Sequence, residues 1–295
     1  MAYLVGVTLL WAFSFSLIGV YLAQAVDPYF AVLTRLTLAC LLFAPFMRWR
    51  ATPLYRAVGL MGVGVLQIGL MYTFFYQSFI WLSVPEVLLF TIFTPLYITS
   101  IDNVLQGRFA PIHLISAFMA VAGAALIRYQ GVSADFWIGF LIVQGANLCF
   151  AAGQVAYRRL DARWPANGHG WCDFGWFFFG AWPVVAVLFA VLGDYNALPA
   201  TSIQWGVLLW LGLAASGLGY YLWNRGATRV DVGTLAVMNN ALIPAGLIVN
   251  VLIWNHDAPL ARLALGSIVM VAALVINRCL QGRSIGLRDF RQGFR

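Results

Sequence analysis

Lysine is absent from this chain, glutamate occurs once, as Glu86, and charged residues of every kind make up only 9% of it. Roughly a quarter of an ordinary soluble domain is charged, so no water-facing surface can be assembled from this composition. Histidine occurs three times, at His113, His169 and His256, each between apolar runs or at the very start of one, and no H-E-x-x-H, paired-aspartate or G-x-S-x-G pattern is present. The usual means of hydrolytic and metal-assisted catalysis are therefore missing, and neither an enzyme nor a cofactor is expected. The four cysteines, Cys40, Cys149, Cys172 and Cys279, are far apart and mostly inside apolar runs. They read as small apolar residues, not as a metal or disulfide set.

What the chain does contain is apolar: 62% of its residues are hydrophobic. A hydrocarbon core about 30 Å thick needs roughly twenty apolar residues per helix. Ten stretches of about that length recur, approximately Tyr3 to Gln24, Tyr29 to Trp49, Tyr55 to Trp81, Pro85 to Leu105, Ile112 to Tyr129, Phe136 to Tyr157, Phe174 to Leu192, Trp205 to Asn224, Val232 to Trp254 and Leu260 to Leu280. They are apolar on every side instead of alternating, so helices and not barrel strands satisfy the backbone inside lipid. The fold class is an all-α membrane protein with ten transmembrane helices. The first stretch lacks a basic leader and an A-x-A-like exit before Asp27 and Pro28, and it counts as a span, not a signal peptide.

With no lysine, all 17 cationic residues are arginines. Fourteen of them, among them Arg48, Arg50, Arg56, Arg108, Arg158, Arg159, Arg163, Arg225 and Arg229, fall in alternate loops and the tail on one side of the expected membrane. Arg128 and Arg262 fall on the other side, and Arg35 lies inside a span. The positive-inside rule then places both termini in the cytoplasm of a bacterial inner membrane. The net charge of +7 is spread over short loops at helix ends. It suits anionic lipid headgroups and excludes a nucleic-acid groove.

Sliding the chain along itself reveals an internal repeat. At an offset of 149, Tyr72 falls on Tyr221, Pro95 on Pro244, and Ala120 to Ile127 on Val269 to Ile276. At an offset of 133, Gly6 falls on Gly139, Ala12 on Gly145 and Ser14 on Asn147. The units are residues 1–130 and 131–282, followed by a basic cytoplasmic tail at 283–295. Five helices is an odd number, so the second unit enters from the opposite face and the architecture is two inverted five-helix repeats. Halves facing opposite ways can open a shared site to either side in turn.

The opening Leu10-Trp11-Ala12-Phe13-Ser14-Phe15, the run Arg35-Leu36-Thr37-Leu38-Ala39 and the fourth-stretch pattern ending at Pro95 resemble, in that order, the drug/metabolite transporter superfamily with two EamA-type units. The aromatic richness and the third and fourth stretches are most similar to YddG-type exporters of aromatic and other neutral amino acids. The resemblance implies a central cavity lined by the first, third, fourth, sixth, eighth and ninth helices. In one respect the chain departs from it: the second half has no counterpart of Arg35 and opens Gln144-Gly145-Ala146-Asn147 without tryptophan.

Polar side chains deep in a span nominate the wall of such a cavity, because lipid tolerates them poorly. In the third stretch Tyr72 and Tyr76 share a face, and Tyr221, with Asn224 one turn further, takes the equivalent place in the eighth. Asn239 and Asn240 lie just before Pro244, and Thr91 lies just before Pro95, whose missing N–H frees a carbonyl. Trp11, Gln144 and Asn147 complete the set of expected substrate-binding residues, with Pro95 and Pro244 as hinges. Each has a structural alternative: phenols bonded to neighbours, amides bonded across helices, prolines that merely kink. Arg35, about 10 Å from the end of its helix by helical rise, reads as a structural residue that snorkels or holds carbonyls.

No carboxylate is placed at mid-membrane, which favours neutral or zwitterionic substrates and facilitated diffusion over proton antiport. The expectation is an exporter of small metabolites, aromatic and other amino acids first, working by alternating access. Other metabolites or drugs handled by the same superfamily remain open, as does a non-transporting membrane scaffold. The expected partners are that small-molecule substrate and the lipid bilayer. The sequence does not set the oligomeric state: the small pair Ala120 and Ala124 permits helix contact without requiring a dimer.

Overall fold

The computed structural model describes residues 1–107, 134–166, 168–230 and 232–254, together with the single helical positions Ala261, Ala264, Ile268 and Ala272. Every regular element among them is helical. We label the helices α1 (Ala2–Leu22), α2 (Pro28–Phe46), α3 (Leu54–Trp81), α4 (Val84–Leu105), α5 (Ala134–Arg163), α6 (Gly170–Leu192), α7 (Ser202–Ala227) and α8 (Val232–Ile253). Seven candidate spans, α1 to α7, are long and apolar enough to cross a membrane, and α8 adds the shorter apolar stretch Met238–Ile253. These eight helices cover eight of the ten predicted stretches. The fifth stretch lies outside the described residues, the tenth is represented only by the single positions above, and the tail lies outside them.

Helix starts follow from local chemistry. Asp27 caps α2 by accepting the Phe30 N–H at 2.7 Å, with Pro28 in the first turn, where a missing N–H costs nothing. Ser83 and Glu86 form a capping box at the head of α4, and Thr201 and Gln204 form another at α7. The α5 helix continues to Arg163, past the end of its apolar run, because the arginines that close it are good helix formers in contact with water.

Packing relies on small residues, as it must where lipid supplies no hydrophobic drive between helices. A Cβ at Gly64 of α3 would sit 1.8 Å from the Phe177 carbonyl oxygen of α6, and one at Gly180 would sit 2.3 Å from the Met61 Cα. Backbone therefore rests on backbone there. Elsewhere α1 packs along α7 and α8, α2 along α6 and α7, and α5 along α3 and α4. At the ends of α3, α5 and α6, buried Arg56 donates to Asp173 at 3.0 Å, to half-exposed Asp161 at 3.4 Å and to the Trp164 carbonyl, while Thr52 donates to the other oxygen of Asp173 at 2.8 Å.

Three helices depart from α geometry at mid-length. In α4 a 3-10 turn, Thr91–Phe93, interrupts the helix immediately before Pro95. The α3 and α7 helices contain π segments, Val65–Leu70 and Leu211–Leu218, wide turns that recur at functional sites. By contrast α8 runs as one α-helix through Pro244, so the expected pair of proline breaks is present on one side only. Prolines within membrane helices are tolerated without a break when neighbours satisfy the freed groups.

Candidate functional site

The 3-10 turn of α4 and the helical turns that follow the two π segments border a cavity among the described helices, with about 90 Å³ open to the centres of water-sized molecules. That is room for several waters, since one water needs about 10–15 Å³ on this measure. Trp11, Ser14 and Phe15 come from α1, Arg35 from α2, Tyr72 and Phe75 from α3, Thr91 and Thr94 from α4, Asn147 and Phe150 from α5, Tyr220 and Trp223 from α7, and Asn239 from α8. All six helices that the resemblance implied contribute, and α2 joins them.

One wall is aromatic. The Trp11 ring lies 4.9 Å from Trp223, 5.2 Å from Tyr220 and 6.2 Å from Phe150. Its indole N–H donates to the Ala215 carbonyl at 2.9 Å, inside the π segment of α7. The amphipathic ring is thereby held on the wall with its polar edge satisfied.

The opposite chemistry comes from Arg35. Its side chain does not snorkel: it is fully buried, and its Nε donates to Ser216 Oγ at 2.9 Å, Nη1 to Tyr76 Oη at 2.9 Å and Nη2 to Tyr72 Oη. The guanidinium carbon also lies 4.0 Å from the centre of the Tyr72 ring, a cation–π distance. Among the described residues these partners are hydroxyls alone, and Arg35 is the one charged side chain on the cavity wall.

Of the residues nominated from sequence, Trp11, Tyr72, Thr91, Asn147 and Asn239 lie on this wall. Asn147 reaches the Phe90 carbonyl, left open by the 3-10 break before Pro95, at 2.8 Å. Asn239 donates to the Leu235 carbonyl at 2.9 Å. Tyr76 stands behind the wall as a ligand of Arg35, and Gln144 stands beside it, bonded to Tyr97 at 3.2 Å and to Asn147 at 3.1 Å. Asn224 is buried and donates to the Tyr220 carbonyl at 3.0 Å, and Asn240 is placed off the wall. Tyr221 is turned away: its ring packs 4.8 Å from Trp171, and its hydroxyl accepts from Arg225 at 2.7 Å.

Arg35, Phe150, Tyr220 and Trp223 are wall residues that the sequence reading did not nominate. Phe150 carries no mark that separates it from a lipid-facing phenylalanine. For Tyr220 the signal was its position beside the repeat match at Tyr221, and for Trp223 its position one turn along from Tyr220.

The EamA-like transporter family model matches residues 1–129 of the chain. A probable biotin transporter of Pseudomonas aeruginosa is 53% identical over 99% of this chain and 100% of its own length. A biotin transporter of Salmonella typhimurium is 47% identical, covering 94% of this chain and 93% of its own. The aromatic amino acid exporter YddG of Ancylobacter novellus is 27% identical over 72% of this chain and 73% of that one. A solved crystal structure superposes with a TM-score of 0.66, covering 95% of this chain and 97% of its own at 21% identity, and so shares the fold. The amino-acid substrate and the export direction expected from the YddG-type resemblance thus have support only from the more distant relative. The more similar relatives are named for biotin. None of these named relatives is an enzyme. The chain is a multi-pass membrane transporter and belongs to the EamA-like transporter family, within the drug/metabolite transporter superfamily.

Proposed function

We propose that the protein carries biotin across a bacterial inner membrane by alternating access around the central cavity. The observation that carries this reading is the 53% identity, over the whole length of both chains, to a probable biotin transporter. The cavity chemistry supports it. Biotin combines a flat, uncharged ureido ring system with a carboxylate on a flexible tail. The stacked rings of Trp11, Tyr220 and Trp223 suit the ring system, and Asn147 and Asn239 offer amide partners to the urea.

The same reading includes ten spans in two inverted repeats with cytoplasmic termini. The π segments support it, since the one in α3 ends at Leu70 and the one in α7 at Leu218. Counted from those ends, Tyr72 corresponds to Tyr220, and the two rings meet edge to face with centres 5.7 Å apart. Single cysteines in place of Arg50 and Arg159 are expected to react with an impermeant thiol reagent from the cytoplasmic face only. Reaction from opposite faces would rule out the antiparallel arrangement.

Substrate choice is read by thermal unfolding of the purified protein. Biotin at about a hundred times its Kd is expected to raise the midpoint by several degrees, because a ligand bound only to the folded state contributes about 2.7 kcal/mol at that excess. Tryptophan and phenylalanine are expected to leave the midpoint unchanged. A shift with tryptophan and none with biotin would restore the amino-acid reading and remove this one.

A further inference from the structure

The geometry assigns Arg35 as the docking group for the carboxylate of the transported molecule. We infer that this cavity selects monocarboxylates with an uncharged, flat body. The inference deepens the biotin reading and depends on it only for the identity of the first acid tested.

Three observations carry it. First, the guanidinium lies on the cavity wall, buried, with no carboxylate among its described partners. A charge so placed is costly until an anion joins it, and a guanidinium does not shed its charge by losing a proton. A residue needed only for packing would sit there more cheaply as an apolar side chain.

Second, the hydroxyls fix the plane of the fork without filling it. Nε is bonded to Ser216, Nη1 to Tyr76 and Nη2 to Tyr72, and each terminal nitrogen keeps a second N–H beyond its phenol. The Tyr72 hydroxyl lies 3.1 Å from Ser216 Oγ as well, so α2, α3 and α7 are tied through one cation. Two parallel N–H groups from one fork are the geometry that accepts a carboxylate in bidentate fashion. An anion that engaged them would also report its arrival to all three helices.

Third, the wall supplies a single charge and a largely apolar remainder. One cation balances one carboxylate. A phosphate dianion would retain a buried negative charge, and a zwitterionic amino acid would bring an ammonium for which the described wall holds no carboxylate.

The test compares acid with amide on the unaltered protein, where folding is not in question. Purified protein is expected to bind biotin at least about tenfold more tightly than biotinamide, the margin that charge-assisted hydrogen bonds provide over neutral ones. Arg35→Gln is expected to abolish that preference, and Arg35→Lys to keep part of it as a point charge without the fork. Equal affinity of wild-type protein for acid and amide would overturn the assignment. So would an undiminished preference in folded Arg35→Gln. Should Arg35→Gln not fold, the acid-to-amide ratio of the wild type decides alone.

If neither biotin compound binds, indole-3-acetate against indole-3-acetamide is the second pair. An acid preference there retains Arg35 as the anion site and rejects biotin. Absence of acid preference in both pairs rejects the site.

Discussion

Asp173→Ala is expected to lower the stability of the folded protein by about 3 kcal/mol, the low end of the range for removing one member of a buried ion pair. Asp173 and Arg56 are both buried, their closest contact is 3.0 Å, and Thr52 engages the second carboxylate oxygen at 2.8 Å. Without the aspartate, Arg56 keeps only Asp161, at 3.4 Å with 28% of its side chain exposed, and the Trp164 carbonyl. The residual partner is why the low end of the range applies. Asp173 also lies in the first turn of α6, where a negative charge is favoured by the helix dipole, so the loss is not purely of the pair. Thermal unfolding in detergent should show a midpoint lower by on the order of 5–10 °C. The double change Arg56→Met with Asp173→Leu should recover most of it, because replacing a buried pair by apolar side chains removes the stranded charge. An Asp173→Ala protein that unfolds at the wild-type temperature would show that this cluster does not hold α3, α5 and α6 together.

The spans were legible because length and continuous apolar character are one-dimensional properties. Eight predicted stretches coincide with α1 to α8 within a few residues at most ends. Trp11, Tyr72, Thr91, Asn147 and Asn239 could be found because polarity deep inside a span has few uses. Tyr221 was nominated through a constant offset of 149, which assumes that both helices keep the same phase. The two π segments end at Leu70 and Leu218, so beyond them the helices are in phase at an offset of 148, not 149. Tyr220 therefore stands on the wall and Tyr221 behind it.

The snorkelling considered for Arg35 fails for a different reason. Its depth in the helix allowed snorkelling, and nothing near it in sequence argued otherwise. The hydroxyls that hold it come from 37, 41 and 181 residues away, on helices whose proximity is a property of the fold. The expectation of a neutral or zwitterionic substrate rested on the same reading of Arg35, and the inference drawn above reverses it. With Arg35 set aside as structural, the absence of a buried carboxylate pointed to neutral or zwitterionic molecules. With Arg35 on the wall, the same absence points to an acid.

Trp11→Ala is expected to raise the half-saturating biotin concentration by roughly tenfold, the effect of about 1–2 kcal/mol from a lost aromatic stack and an orphaned carbonyl. The indole is in contact distance of Tyr220 and Trp223, and its N–H serves Ala215, so its removal both opens the wall and loosens the π segment behind it. Tyr221→Phe, at a ring that packs away from the cavity, is expected to leave that concentration within about twofold of wild type. Equal effects of the two changes would mean that the aromatic wall is not where the substrate lies.

Both variants are read in the assay that bears most directly on what the protein does, counterflow of labelled biotin into proteoliposomes loaded with excess unlabelled biotin. A carrier with one cavity open to each side in turn exchanges the two, and the wild-type protein should give a transient internal accumulation of label that protein-free liposomes and tryptophan-loaded vesicles do not. If label accumulates no more than in protein-free liposomes, or accumulates only when both sides hold tryptophan, this is not a biotin carrier.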